Sequence, residues 1–412
     1  MNQIQSQNVQ FRVILLIVFL GFLGISIPYL IFPALFLNPE FSFMPDSWSS
    51  STNALFLGIT LAAYPFGQFI GSPILGSLSD DFGRKSVLTT SLLITAFCNL
   101  LTGFAIHLES IELLIISRFL AGVMEGNIAI ARAMAADLTG FLKHKTFGKI
   151  NAAASIAYLI GPFLGGLLTD KNFIAGVTTS SPFYLICVLF LGVAALSAFI
   201  LTSNGEQTSG QSLKERFNLL RRIKELFSNP RLQFLMVTST ILTLAIDIFY
   251  EFGPVYLTVK WKFGPSELIY FNAVLCIALA IGNGWLPSLF ARKKRFAIIF
   301  SMIAFSCLTL MMLLNDSYFF MLLLFGLSGL FIGLSVTLIT VSISDSVSNK
   351  IQGEVMGVQI SLRVLGDSII CLVGGLLLAF SAKFILAISA AFALSSMGYY
   401  TIKTLNPQLQ AK

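Results

Sequence analysis

The sequence predicts an all-α membrane protein with twelve transmembrane helices, and three observations support this. Of the 412 residues, 56% are hydrophobic and only 11% are charged, whereas roughly a quarter of a typical soluble domain is charged. The apolar residues occur in runs of about twenty, the length that crosses a bilayer as a helix. The basic residues are concentrated in alternate connections between these runs. The prediction is two pseudo-symmetric six-helix bundles with both termini in the cytoplasm.

Twelve apolar runs define the predicted spans. They cover residues 12–36, 53–75, 86–106, 111–136, 148–169, 181–202, 232–258, 267–290, 296–314, 318–342, 354–380 and 383–402. With the N-terminus inside, nineteen of the twenty-six Lys and Arg residues fall in cytoplasmic connections or at the chain ends. Cytoplasmic loops of membrane proteins are enriched in these residues. The net charge of +7 is therefore explained without a nucleic-acid-binding surface.

One long polar segment, residues 203–231, divides the chain into predicted bundles of residues 1–202 and 232–412. Apolar residues recur in this segment at helical spacing between basic residues, as in an amphipathic helix on the inner leaflet. A solvated tether between the bundles fits the segment equally well. A weak internal repeat supports two equivalent halves, because a shift of 205 residues places Gly148 on Gly353.

The segment between the second and third predicted spans reads Gly-Ser-Leu-Ser-Asp-Asp-Phe-Gly-Arg-Lys. It resembles the GxLxDxxGRK loop of the major facilitator superfamily. The glycines are predicted to permit a tight reversal of the chain, and Asp80 and Arg84 can form a charged latch at the membrane face. The resemblance implies a gating role and adds Asp137 as a further member. The predicted latch comprises Gly76, Asp80, Gly83, Arg84, Lys85 and Asp137.

Two further motifs resemble this family. Arg118, four residues before Gly122, matches its fourth-helix motif, in which the resemblance implies a role in proton transfer. The fifth span contains the GPxxGG core typical of proton-driven exporters, although alanines replace the glycines that usually precede it. Proline and glycines permit a kink and close helix contact, so a hinge is predicted, with small-residue packing as the alternative. The hinge residues are Gly161, Pro162, Gly165 and Gly166.

Six ionisable residues lie deep in the predicted spans, and Arg118 is a seventh, nearer the outer surface. They are Arg118, Glu125, Arg132, Asp247, Glu251, Arg363 and Asp367. Each costs roughly 2.5–3.5 kcal/mol at a span centre, so such residues usually face a cavity or a partner. We predict that they couple protons to substrate. The alternative is static ion pairs that fix helix register, and Arg363 and Asp367 share a helix face on which they can pair.

Four polar residues near these charges are predicted to line the same cavity, although packing roles are an alternative for each. They are Asn127, Tyr158, Tyr250 and Tyr256. The five cysteines lie in apolar runs without CxxC spacing, and neither histidine resembles a metal ligand. The sequence contains no catalytic triad and no phosphate-binding GxxxxGK. We therefore expect no enzyme activity, no metal and no cofactor, with the proton as the coupling ion.

The resemblance implies an inner-membrane secondary transporter that works by alternating access, similar to the twelve-helix drug–proton antiporters that include tetracycline exporters. We expect proton-coupled export of a small organic molecule by a monomer surrounded by membrane lipid, with no nucleic-acid partner. An importer of a nutrient, an amino-acid-like metabolite or a siderophore is the first alternative. A non-transporting membrane sensor or assembly scaffold is the second.

Overall fold

The computed structural model describes residues 3–138, 143–169, 174–202, 229–346 and 352–404, and these residues are helical except for short connections. The helices of the first half are α1 Gln3–Ser26, α2 Pro28–Leu37, α3 Ser50–Phe82, α4 Arg84–His107, α5 Ile111–Met124, α6 Gly126–Asp137, α7 Lys143–Leu167 and α8 Ser181–Ile200. The predicted amphipathic helix within residues 203–231 falls outside the described residues, apart from residues 229–231.

The second half begins with α9 Pro230–Trp261, whose first turn is capped by the Asn229 side chain. The helices that follow are α10 Pro265–Gly284, α11 Leu286–Leu289, α12 Lys294–Leu314, α13 Tyr318–Ser344, α14 Gln352–Leu378 and α15 Ala382–Thr404. Helices satisfy all backbone hydrogen bonds internally, which lipid requires because it offers neither donors nor acceptors.

The predicted all-α membrane fold is confirmed, while the cytoplasmic location of both termini stays a prediction. Within the described ranges, eleven helical segments are long and apolar enough to cross a membrane. The predicted fifth span is represented by the apolar part of α7, Ala152–Leu167, which is shorter than the others. A helix in the first span ends at Ser26 and a new one begins at Pro28, because proline fits the first turn of a helix but disrupts its interior.

The reversal between the second and third spans is shorter than predicted. Helix α3 continues through Gly76 to Phe82, and α4 begins at Arg84. Gly76 is therefore a helical residue, and its predicted role in a tight turn is wrong. Gly83 alone forms the break, with φ of 89°, a backbone conformation that glycine adopts without steric cost.

Two compact units make up the fold. The first comprises Met1–Asp46, Ile59–Phe217 and Gly264–Ser266, and the second comprises Ser47–Gly58, Asn218–Phe263 and Glu267–Lys412. In the first unit, α1 packs on α7 and α8, while α4 packs on α5 and α8. In the second, α9 packs on α13, α14 and α15, and α12 packs on α13 and α15.

A glycine contact between α3 and α5 brings two helix backbones together within the first unit. A Cβ atom added at Gly67 would overlap the Phe119 carbonyl, and one added at Gly122 would overlap the Tyr64 carbonyl. Small residues permit such close crossings in membrane proteins. The contact holds Tyr64 of α3 against the C-terminal end of α5.

Replacing Gly122 by alanine should destabilise the protein. The added methyl group has no room beside the Tyr64 carbonyl, so the helices must separate, at a typical overpacking cost of about 1–3 kcal/mol. The measurement is the thermal unfolding midpoint of the purified protein in detergent.

The matched control for that substitution is Gly192→Ala in α8, where nothing lies within 4 Å of the added Cβ. It should leave the midpoint unchanged or raise it slightly, because alanine favours the helical state by roughly 0.5–1 kcal/mol over glycine. Equal midpoints for the two variants would contradict the close crossing of α3 and α5.

Candidate functional site

Glu125 lies in the interior of the first unit at the junction of α5 and α6, and only 3% of its surface is exposed. Its backbone N–H donates to the Gly122 carbonyl at 2.9 Å, a three-residue step that ends α5. The phenol of Tyr64 donates to Glu125 Oε2 at 2.5 Å. The break between the helices and the glycine contact described above thus bring one carboxyl group and one phenol together.

Arg118 lies over the Tyr64 ring. Its guanidinium carbon is 4.5 Å from the centre of that ring and 5.7 Å from the centre of the Phe32 ring in α2. The side chain is 3% exposed. Aromatic faces attract a guanidinium ion, by about 2 kcal/mol or more when water is excluded. Two rings therefore stabilise this cation.

Arg132, two helical turns beyond Glu125, has a similar environment. Its guanidinium carbon lies 5.7 Å from the centre of the Phe22 ring in α1. The ring of Phe22 in turn lies 5.3 Å from that of Tyr158 in α7. Aromatic contacts from other helices therefore surround both arginines.

Several buried polar atoms of this cluster have no hydrogen-bond partner among the described residues. They are Oε1 of Glu125, Nε of Arg118, Nε of Arg132 and Oδ1 of Asn127. Neither arginine forms an ion pair with Glu125 within the described part of the chain. Burying an ionised carboxylate without a paired cation is costly. Glu125 is thus suited to exchange a proton, because the neutral form avoids that cost.

The charges of the second unit are arranged differently. The guanidinium of Arg363 in α14 donates from Nη2 to Oδ1 of Asp247 in α9 at 2.9 Å, and from Nε to Oδ2 at 3.3 Å. Asp247 is buried, whereas the Arg363 side chain is 53% exposed. Such a two-point contact is the strong form of a carboxylate–guanidinium pair. The ion pair therefore links α9 to α14.

Glu251 and Asp367 lie near that pair. Their carboxylate oxygens and Sγ of Cys371 all lie within 4.8 Å of one another. Cys371 Sγ donates to Asp367 Oδ1 at 3.9 Å. Two carboxylates and a thiol at this spacing could hold a metal ion, and the carboxylates could equally share a proton. The two acidic residues of α9 therefore have different neighbours. Asp247 has the Arg363 guanidinium at hydrogen-bond distance, whereas Glu251 lies beside a second acid, Asp367.

The residues of the predicted latch lie around the junction of α3 and α4. Arg84 and Lys85 begin α4, and Asp80 lies in the last turn of α3. Asp137 is the last residue of α6. The side chains of Asp80 and Asp137 lie outside the described part of the structure, so the latch stays a prediction.

The predicted hinge residues lie in a continuous helix. Helix α7 runs through Pro162 from Lys143 to Leu167. A Cβ added at Gly161 would overlap Oγ of Ser26, and one added at Gly165 would lie 3.0 Å from the Ile27 carbonyl. These two glycines therefore permit close packing of α7 at the junction of α1 and α2. The Gly166 carbonyl accepts from Thr169 Oγ1 at 2.8 Å.

The four residues predicted to line a cavity differ in exposure. Asn127 is completely buried, and its amide donates to Thr95 of α4 at 3.3 Å. Tyr256 is buried too, and its phenol donates to the Met312 carbonyl at 3.1 Å. Both have packing roles between helices. Tyr158 and Tyr250 are partly exposed.

One charged pair lies at the other end of α9. Lys260 Nζ is 2.8 Å from Oδ1 of Asp316, in the short connection between α12 and α13. The hydrogen bond from Lys260 holds the pKa of Asp316 below its ordinary value. This carboxylate therefore stays ionised at neutral pH, and it provides a matched control for substitutions of buried acids.

Sequence reasoning missed Tyr64. The signal that could have found it is the GxxxG spacing of Gly67 and Gly71, which predicts a close helix crossing. Both glycines contact the backbone of α5. A tyrosine one turn before such a crossing faces the partner helix, where Arg118 and Glu125 lie.

Comparison with known proteins agrees with this architecture. Multidrug resistance protein 2 of Bacillus subtilis is 32% identical over 226 residues, which cover 54% of this chain and 50% of that protein. The class H tetracycline resistance protein of Pasteurella multocida is 33% identical over 44% of each chain. The quinolone resistance protein NorA of Staphylococcus aureus is 25% identical over 63% of this chain and 62% of its own. The chain thus spans about half the length of the first two relatives.

Solved structures share the fold across nearly the whole chain. The nucleoside transporter NupG superposes with a TM-score of 0.71 at 14% identity and covers 96% of this chain and 98% of its own. A D-xylose–proton symporter gives 0.69 at 15% identity, with 95% and 97% covered. The sequence profile of the Major Facilitator Superfamily matches residues 14–370. The chain therefore belongs to the major facilitator superfamily, as its motifs indicate, and is a multi-pass membrane protein.

Proposed function

We propose that this transporter exports a small organic molecule across the inner membrane in exchange for protons. The observation that carries the proposal is Glu125, a buried carboxyl group that accepts from Tyr64 and has no ion-pair partner among the described residues. A group that forms a permanent ion pair stays charged, whereas this carboxyl can be neutral or charged as its surroundings change. Proton exchange requires that capacity.

The direction of transport and the class of substrate rest on the relatives. Proteins named for resistance to multiple drugs, tetracycline and quinolones match this chain over about half or more of its length. Resistance by a membrane transporter is explained by export of the drug.

In the proposed cycle, the unit that contains Glu125 accepts a proton from one side of the membrane and releases it on the other. Tyr64 stabilises the ionised carboxylate by donating its O–H to Oε2. Arg118 is held over the Tyr64 ring, close enough to attract the charge without a permanent ion pair. Substrate and proton then compete for the ionised carboxylate of Glu125.

Replacing Glu125 by glutamine should abolish the dependence of transport on the proton gradient. Glutamine keeps the shape of the side chain but cannot carry a proton. The measurement uses proteoliposomes with an acidic interior and a panel of tetracycline, a quinolone, a cationic dye, amino acids and siderophores. Wild-type protein should drive accumulation of a drug-like compound, while the Glu125→Gln variant should match protein-free liposomes.

One control variant and two contrary outcomes complete that measurement. Asp316→Asn removes an exposed carboxylate outside the spans and should transport like wild type. Accumulation that requires an alkaline interior would show symport, and it would favour the alternative of a nutrient importer over export. Gradient-driven transport that persists in Glu125→Gln would exclude Glu125 as the proton carrier.

Replacing Tyr64 by phenylalanine should change the pH at which transport is half-maximal. The ring remains beneath Arg118, but the O–H donated to Glu125 is lost. A hydrogen bond to a charged group contributes roughly 1.5–3 kcal/mol, so the proton affinity of Glu125 should change roughly ten- to a hundredfold, which is one to two pH units.

The matched control is Tyr184→Phe in α8, because Tyr184 contacts the ring of Phe104 and makes no contact with Glu125. Its pH profile should coincide with that of wild type. A Tyr64→Phe profile that also coincides with wild type would show that the phenol has no part in proton exchange.

Separate substitutions of Asp247 and Arg363 should each destabilise the protein, and the double variant should recover much of the loss. Removing one partner of a buried ion pair typically costs about 3–5 kcal/mol, and the cost here should be smaller because Arg363 is half exposed. Thermal midpoints of Asp247→Asn, Arg363→Gln and the double variant give the coupling energy.

Transport by the double variant distinguishes a static ion pair from one that takes part in the transport cycle. Recovered stability with normal gradient-driven transport would show a structural ion pair. Recovered stability without coupled transport would show that the pair takes part in the cycle. Additive losses in the double variant would contradict an interaction between the two residues.

A further inference from the structure

A basic cavity lies in the second unit, at the ends of α9, α12, α13 and α15. Its volume is about 370 Å³. Basic side chains come from the first turns of α9 and α12 and from the last turn of α15. These are Arg231, Lys294, Arg295 and Lys403. Nothing in the proposed transport cycle uses this cavity.

The cavity carries excess positive charge. Among the described residues that line it, four are Lys or Arg and one, Asp345, is acidic, so their formal charges sum to +3. Lys294 Nζ lies 3.1 Å from Oδ2 of Asp345, and that pair is neutral overall. An anion in the cavity would offset the remaining charges.

The floor of the cavity is aromatic. The rings of Phe234 and Tyr400 stack with their centres 5.4 Å apart, and Tyr400 is buried. Exposed apolar side chains flank two of the basic residues in sequence: Phe296 follows Arg295, and Ile402 precedes Lys403. Basic lining residues on helices that also expose apolar side chains suit a molecule with an anionic group and hydrocarbon chains.

The position in the membrane agrees with such a ligand. The basic residues of the cavity belong to connections that the charge asymmetry predicts to be cytoplasmic. Anionic lipids give the cytoplasmic leaflet a negative surface potential, and basic pockets between transmembrane helices on this side bind lipid headgroups. A free phosphate ion would use the basic lining residues but not the exposed apolar side chains.

We propose that this cavity binds the phosphate of an anionic phospholipid headgroup from the inner leaflet, and that the bound lipid bridges the ends of α9, α12 and α15. The proposal is independent of the direction of transport and of the substrate. It concerns one unit alone, and it assigns a role to basic residues that the resemblance to the family leaves unassigned.

The test measures lipid binding to the purified full-length chain by native mass spectrometry. Phosphatidylglycerol should bind more tightly than phosphatidylcholine. The double variant Arg295→Gln/Lys403→Gln should weaken the binding of phosphatidylglycerol. Each basic residue near the surface contributes a factor of roughly five, so roughly 25-fold is expected for the pair.

A matched control lies in the same connection. Arg292→Gln/Lys293→Gln removes the same charge from exposed residues that do not line the cavity, and it should retain binding. Arg295→Lys/Lys403→Arg keeps the charge and should also retain it. Equal losses in the two neutral double variants would overturn the proposal, since general surface charge would then explain the binding.

A second arm distinguishes the lipid from free phosphate. Inorganic phosphate at millimolar concentration should not displace phosphatidylglycerol or raise the thermal midpoint of lipid-free protein. If phosphate stabilises the wild-type protein as much as the lipid does, and the Arg295→Gln/Lys403→Gln variant loses that effect, the lipid is not the ligand. All variants should keep the wild-type midpoint in lipid-free detergent, which shows that they are folded.

Discussion

Ionised side chains within membrane-spanning helices need compensation, and the two units provide it in different ways. In the first unit, aromatic rings cover Arg118 and Arg132, and Glu125 receives a hydrogen bond from Tyr64. In the second, Asp247 has a guanidinium at hydrogen-bond distance. Removing a charge from a paired group leaves its partner uncompensated, whereas a group held by neutral partners can change its charge at lower cost. On this argument we propose Glu125, rather than Asp247, as the proton carrier.

The fold was largely predictable because a bilayer restricts the choices so strongly. Runs of apolar residues must be helical in lipid, so their number and approximate bounds follow from composition. The local departures occur where a single residue determines the backbone. Gly83 alone breaks the helix between the second and third spans. The fourth span is interrupted at Glu125, directly before Gly126. Hydropathy has no signal for such an interruption.

The charged residues of the candidate site could be predicted from the sequence, but the side chains that they contact could not. Ionisable residues are conspicuous in apolar runs, so Glu125 and Asp247 could be identified from the sequence. Their partners depend on which helices are adjacent and at what rotation, which periodicity within one helix does not specify. Arg363 has an acid one turn away on its own helix, yet its ion pair is with Asp247 of another helix. Tyr64 was missed for the same reason, because its role depends on the crossing of α3 and α5.

Measuring proton release as substrate binds tests whether Glu125 is the group that exchanges the proton. Purified protein in weakly buffered detergent would receive a compound that the transport panel has identified, while a pH dye records protons and fluorescence records binding. If Glu125 carries the exchanged proton, wild-type protein releases protons as the compound binds, and the Glu125→Gln variant binds the compound with no release. Equal proton release from both proteins would contradict the assignment of the exchanged proton to Glu125.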